Sequence, residues 1–154
     1  MGLDMYLTKK TYVKNWEHTP ESEKHYVSVQ GPQAKHINRK RIRYIEEDLC
    51  DWRKANHIHK WFVENVQSGK DDCEEYYLDV SKLKQLRDVC YEVMVDGKKA
   101  KDLLPTTSGF FFGGTDYDDW YFQETTRTYV ELNELIKELE EYEGRFTLLY
   151  KSSW

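Results

Sequence analysis

Apolar positions recur along the chain with two periods, and the switches between them mark its elements. "LDMYLTKKTYV" opens on a loose alternation that predicts a strand over residues 3 to 10. "HYVSVQ", residues 25 to 30, alternates more strictly, with Val27 and Val29 on one face and Tyr26, Ser28 and Gln30 on the other, and predicts a second strand. Gly31 and Pro32 punctuate a turn. "RIRYIEED", residues 41 to 48, then alternates again, with Ile42 and Tyr44 opposite Arg41 and Arg43, so the two strands read as a hairpin whose second arm turns basic residues outward.

A helical period follows. Asp51 is placed to cap a helix from Trp52 to about Val66, with Trp52, Ala55, Phe62, Val63 and Val66 on one side. "EEYYLDV", residues 74 to 80, predicts a short strand, and Ser81 caps a helix whose stripe is Leu83, Leu86, Val89, Cys90 and Val93. Residues 98 to 108 look irregular, broken by Pro105, and "GFFFGG" predicts a strand or a buried loop. Thr115 and Asp118 resemble a capping box opening a helix from Asp116 to about Tyr142, with Tyr121, Thr125, Leu132, Leu135, Ile136 and Leu139 inward. Gly144 ends it and "RFTLLYKSSW" supplies a last strand. Three early strands without an intervening helix predict an α+β fold: a single domain over residues 1 to 154, with a largely antiparallel sheet and about three helices packed mainly on one face.

Composition fits that outline. A chain of 154 residues suits one core, burying roughly 70% of the surface that the unfolded chain exposes. Twelve Tyr and five Trp make the interior or the surface rich in aromatics. No apolar run is long enough to span a bilayer, and "MGLDMYLTKK" lacks the apolar region of a signal peptide, so a cytoplasmic location is expected in whatever cell makes the protein. Gly2 does not complete a myristoylation motif, because Tyr6 stands where Ser or Thr is needed. Cys50, Cys73 and Cys90 are widely spaced and form no C-x-x-C pair, which argues for free thiols and against a zinc ribbon. The net charge of −5 conceals a dipole, with residues 1 to 70 at +4 and residues 71 to 154 at −9. "KHINRKRIR", residues 35 to 43, holds five cations and no acid. It is either a solvated strand face or a patch that attracts phosphates.

Chemistry concentrates in two stretches. In "WRKANHIHKWF", residues 52 to 62, a continuous helix would put Trp52, Asn56, His59 and Val63 on one line beside the stripe of Arg53, His57, Lys60 and Trp61. Asn56 and His59 are then either buried polar groups holding a loop, or, with Arg53, donors and acceptors lining a cleft for phosphate or carboxylate. In "LLPTTSGFFFGGT", residues 103 to 115, the hydroxyls of Thr106, Thr107 and Ser108 would face a ligand on which Phe111 or Trp61 stacks; a buried aromatic segment with a glycine turn is the alternative. The stretch is not a P-loop. Asp116, Asp118 and Asp119 are explained by capping and the helix dipole. His57 and His59, two apart on a helix, point in opposing directions, so no metal ligand set is expected, and no motif implies a cofactor.

"MGLDMYL", "WRKANHIHKWF" and "LLPTTSGFFFGGTDYDDWYF" together resemble a family of small bacteriophage and prophage proteins, across Met1 to about Phe122. The family's middle motif, W-R-K-A-N-x-I-H-x-W-F, falls on Trp52, Arg53, Lys54, Ala55, Asn56, Ile58, His59, Trp61 and Phe62, and the chain departs from it at His57. The resemblance implies an accessory protein that antagonises host antiviral defence by binding. Its ligand would be small and phosphorylated, nucleotide-like, met by Arg53, Asn56, His59, Trp61, Thr106, Thr107, Ser108 and Phe111. Two other readings stay open. One is a protein–protein inhibitor of a host defence factor that uses residues 116 to 143, with Trp120, Tyr121 and Tyr129 as anchors among carboxylates. The other is a small enzyme acting on nucleotides or nucleic acid with His59 as acid or base. Nucleic acid as the main partner is disfavoured by the negative net charge, and a homo-oligomer is compatible with the aromatic content.

Overall fold

The computed structural model describes residues 2–154. Four strands form one sheet: β1 (Asp4–Tyr12), β2 (Tyr44–Arg53), β3 (Tyr76–Leu78) and β4 (Thr147–Ser153), in the order β2-β1-β4-β3 with every pair antiparallel. The helices are α1 (Asn56–Asn65), α2 (Val80–Val95), the single-turn α3 (Ala100–Leu103) and α4 (Asp119–Glu141). The fold is α+β, and strand alternation decides which face of the sheet is covered. Leu3, Met5 and Leu7 of the first strand segment, Cys50 and Trp52 of β2, and Leu148 and Tyr150 of β4 share the core with Ile58 and Phe62 of α1, Leu83 and Leu86 of α2, and Leu132 and Ile136 of α4. Tyr6, between Met5 and Leu7, points to the opposite side and is exposed.

Several boundaries differ from the sequence pattern. Residues 25 to 30 form no strand: they lie in the long connection 13–43, which carries three single 3-10 turns. The alternation of Val27 and Val29 finds no neighbouring strand to pair with, because β1 and β2 pair directly from Tyr12 with Tyr44 down to Asp4 with Arg53. The basic residues 39 to 41 accordingly sit in a 3-10 turn rather than on a strand. Trp52 and Arg53 finish β2 instead of starting a helix. Lys54 adopts φ 58° and its N–H donates to Leu3 O at 2.7 Å, so the chain turns sharply before α1 begins at Asn56. Asp51 caps nothing.

The caps are also redistributed. Asp79, not Ser81, caps α2: its carboxylate accepts from Lys82 N at 3.0 Å and from the Ser81 hydroxyl. Asp118 caps α4 alone, accepting from Tyr121 N at 3.0 Å, with no capping box to Thr115. The stretch expected to be irregular from residue 98 instead opens within a 3-10 turn, Gly97–Lys99, that leads into α3. "GFFFGG" is a loop that buries Phe112 and leaves Phe110 and Phe111 exposed.

Candidate functional site

The two chemistry-bearing stretches meet in space. Asn56, Ala55 and the two histidines are buried at the start of α1, and each polar side chain faces a different neighbour. Asn56 Nδ2 donates to Phe112 O (3.1 Å) and Gly114 O (2.8 Å), while its Oδ1 accepts from Thr107 N (3.0 Å). One amide thus clasps both arms of the loop 105–115. Thr106 closes the same loop on itself, its hydroxyl donating to Thr115 O at 2.9 Å. Gly113 permits the close approach: its φ is 89°, and a Cβ there would stand 3.2 Å from Lys54 Cβ.

His59 lies in a hydrogen-bonded chain with Asp71 and Tyr150. Its Nε2 is 3.0 Å from Asp71 Oδ2, and its Nδ1 is 2.8 Å from Tyr150 Oη. Burial lowers the imidazole pKa against the opposing pull of Asp71, and burial raises the Tyr150 phenol well above its ordinary value. Both shifts favour one neutral arrangement: Nε2–H donates to the carboxylate and the phenol donates to Nδ1. Trp154 Nε1 donates to the second Asp71 oxygen at 2.9 Å, and Phe112 sets its ring edge-on to His59 at 5.3 Å. Phe62 stacks on Tyr150 with centroids 3.9 Å apart. The chain of bonds ties α1 to β4 and to the loop before β3, and His59 has no solvent-facing side.

His57 faces α4. Its Nε2–H donates to Thr125 Oγ1 (3.2 Å), whose own hydroxyl donates to Tyr121 O (2.8 Å), and the ring packs on Tyr121 at 4.2 Å. Burial depresses its pKa to about 3, so it is neutral at physiological pH.

The remaining sequence-predicted residues are dispersed, apart from Thr106 and Thr107 in the loop that Asn56 clasps. Arg53 is exposed, 3.6 Å from Asp4, on an open groove of about 660 Å³ that also takes in Asp51, Lys54, Trp120, Glu124 and Arg127. Arg127 is already held by Glu124, Glu131 and Asp51 O, so positive and negative groups alternate along that groove. Trp61 is buried, Ser108 and Phe111 are exposed, and Thr106 and Thr107 are half-buried. Of the aromatic anchors of the acidic half, Trp120 is exposed, Tyr129 is half-buried against Tyr91, and Tyr121 is buried.

A cleft elsewhere has simpler electrostatics. The connection 13–43 folds back on the end of β1 to enclose about 400 Å³ lined by Val13, Lys14, Asn15, His25, Tyr26, Val27, Arg39, Lys40 and Ile42. Its geometry is braced from within. Asn15 bonds the main chain of His25 twice, Nδ2 donating to the carbonyl (2.6 Å) and Oδ1 accepting from the amide (2.9 Å). Asn38 Oδ1 accepts from Lys40 N (3.0 Å), capping the turn that carries Arg39 and Lys40. Tyr26 is held at the rim by donating to Glu21 Oε2 at 2.8 Å. Among the described residues, Lys14, Arg39 and Lys40 have no carboxylate within ion-pair distance. The run at 35 to 43 signals half of this cleft in the sequence; Lys14, Asn15 and His25 carry no such signal, since only the fold of the connection brings them alongside.

Among the described residues no group of three or more His, Cys, Asp or Glu gathers as a metal site. No described helix is long and apolar enough to cross a membrane. Comparison with family models, with curated proteins and with solved structures returned no match to this chain.

Proposed function

We propose that the protein acts by binding, without catalysis, and that its ligand is small and phosphorylated, held in the cleft of residues 13–15, 25–27 and 39–42. The observation that carries this reading is the lining itself: two lysines, an arginine and a histidine converge with no acid among them. Unpaired cations in a concave, partly apolar site attract phosphate more strongly than the same groups on a convex surface. Val13, Val27 and Ile42 supply the apolar part, and the exposed Tyr26 ring at the rim offers a face for a base, which favours a nucleotide-like ligand. Together with the resemblance to phage and prophage proteins, this supports a role in a bacterial host cell as an accessory protein that sequesters a nucleotide signal of antiviral defence.

Asn56 and His59 contribute to such a protein by holding its frame, since their polar atoms are already engaged. Isothermal titration against nucleotides and cyclic dinucleotides tests the proposal. Binding with the unaltered chain and a loss of at least tenfold in the Arg39→Glu/Lys40→Glu variant is the expected result, with Arg53→Ala unchanged. Absence of heat with every ligand at high protein concentration would overturn it. Loss of binding in Arg53→Ala, with Arg39→Glu/Lys40→Glu intact, would move the ligand to the groove beside α1.

A further inference from the structure

The sheet has one long bare edge. β2 is the outermost strand and pairs only with β1, whereas the other edge, β3, spans just Tyr76–Leu78. Near its end the β2 edge is closed in two ways. The register shift between Leu7 and Thr8 leaves Leu49 as an extra, unpaired residue, and Arg127 Nη2 donates across to Asp51 O at 3.0 Å. What remains is a regular stretch, Tyr44 to Asp48, exposed at every position. A strand of that kind offers unpaired main-chain donors and acceptors to another extended segment.

Charge selects the occupant. Glu46, Glu47 and Asp48 are consecutive, and only Glu47 is neutralised, by Lys9 at 2.9 Å; among the described residues Glu46 and Asp48 have no cationic partner. A second copy of the chain pairing antiparallel through the whole stretch would centre on Glu46, setting Glu46 opposite Glu46 with Glu47 and Asp48 of both strands close by, which like-charge repulsion disfavours. The neighbour already present shows the opposite solution: β1 places Thr8, Lys9 and Lys10 against Asp48, Glu47 and Glu46.

We infer that the edge Tyr44–Asp48 is a docking site for an extended, basic segment of a partner protein, which adds to the sheet as a strand beside β2. Main-chain hydrogen bonds hold the segment, and its Lys or Arg side chains meet Glu46 and Asp48. This site is separate from the cationic cleft and stands or falls independently of it.

The test is fluorescence anisotropy with a labelled peptide of alternating lysine and threonine, alongside two controls: the same peptide with its central threonine replaced by proline, and a glutamate counterpart. The expected result is that the basic peptide binds and protects the amides of residues 44 to 48 from hydrogen exchange. The proline peptide, equal in charge, should bind at least tenfold more weakly, and the glutamate peptide not at all. Glu46→Lys/Asp48→Lys should lose the basic peptide while retaining the circular dichroism of the parent. Equal binding of the proline and parent peptides would reduce the effect to charge alone and overturn the inference, as would no binding at all. So would sedimentation showing the free chain to be a dimer with residues 44 to 48 protected.

Discussion

At the scale of single residues, Asn56 has the most consequence for the candidate site region. Its carboxamide satisfies one N–H and two carbonyls of the loop 105–115, all contributed by residues far away in sequence. Removing it unpairs those groups, of which one belongs to the buried Phe112, one to the half-buried Thr107 and one to the exposed Gly114, and a buried polar group left unpaired costs about 1–3 kcal/mol. Asn56→Ala should therefore lower stability by about 1–3 kcal/mol, with faster hydrogen exchange confined first to residues 105 to 115. Chemical denaturation with site-resolved exchange checks both parts. The choice between holding a loop and lining a cleft was open in the sequence because a helical line of polar residues looks the same in either case. The partners decide it, and Phe112 and Thr107 are more than fifty positions away from Asn56.

At the scale of elements, caps and periods behaved differently. The long period of α4 was legible: of the residues its spacing turns inward, Tyr121, Thr125, Leu132, Ile136 and Leu139 are buried, and Leu135 is half-buried against the core. The start of α1 was not, because Trp52 and Arg53 satisfy a helical pattern and a strand end equally well; pairing of Met5 with Trp52 settled the matter. For α2 the cap lay two residues earlier than expected, at Asp79, where the carboxylate reaches Lys82 N. Asp79→Ala should cost about 0.5–2 kcal/mol, and Ser81→Ala less than half of that, since Ser81 only donates to the capping carboxylate. Thermal unfolding of the two variants side by side distinguishes them.

At the scale of the whole molecule, the two buried histidines couple folding to pH. His57 has a folded pKa of about 3 against an ordinary value of 6.5, and that of His59 is lowered as well. Between those values the unfolded chain takes up a proton that the folded chain excludes. The stability that neutral histidine contributes is therefore complete above about pH 6.5 and is lost as pH falls toward 3, at up to about 1.4 kcal/mol per pH unit for a single group. Urea unfolding from pH 7 to 4 should show this decline. His57→Gln, which keeps a donor for Thr125 and removes that titration, should make the decline shallower, leaving the part due to His59.

The α+β class and the core stripes of α2 and α4 follow from the sequence by itself, because period and composition are local quantities. So does the basic run at 35 to 43. The tertiary structure decided the rest. It left Val27 and Val29 outside the sheet, since a strand exists only where another strand accepts its hydrogen bonds. It joined Asp71, His59 and Tyr150 into one neutral chain and set Lys14 and His25 beside Arg39, because those groups meet only when connections of many residues close. It left Tyr44–Asp48 without a neighbour, and no local pattern of residues encodes which strand lies at the edge of a sheet.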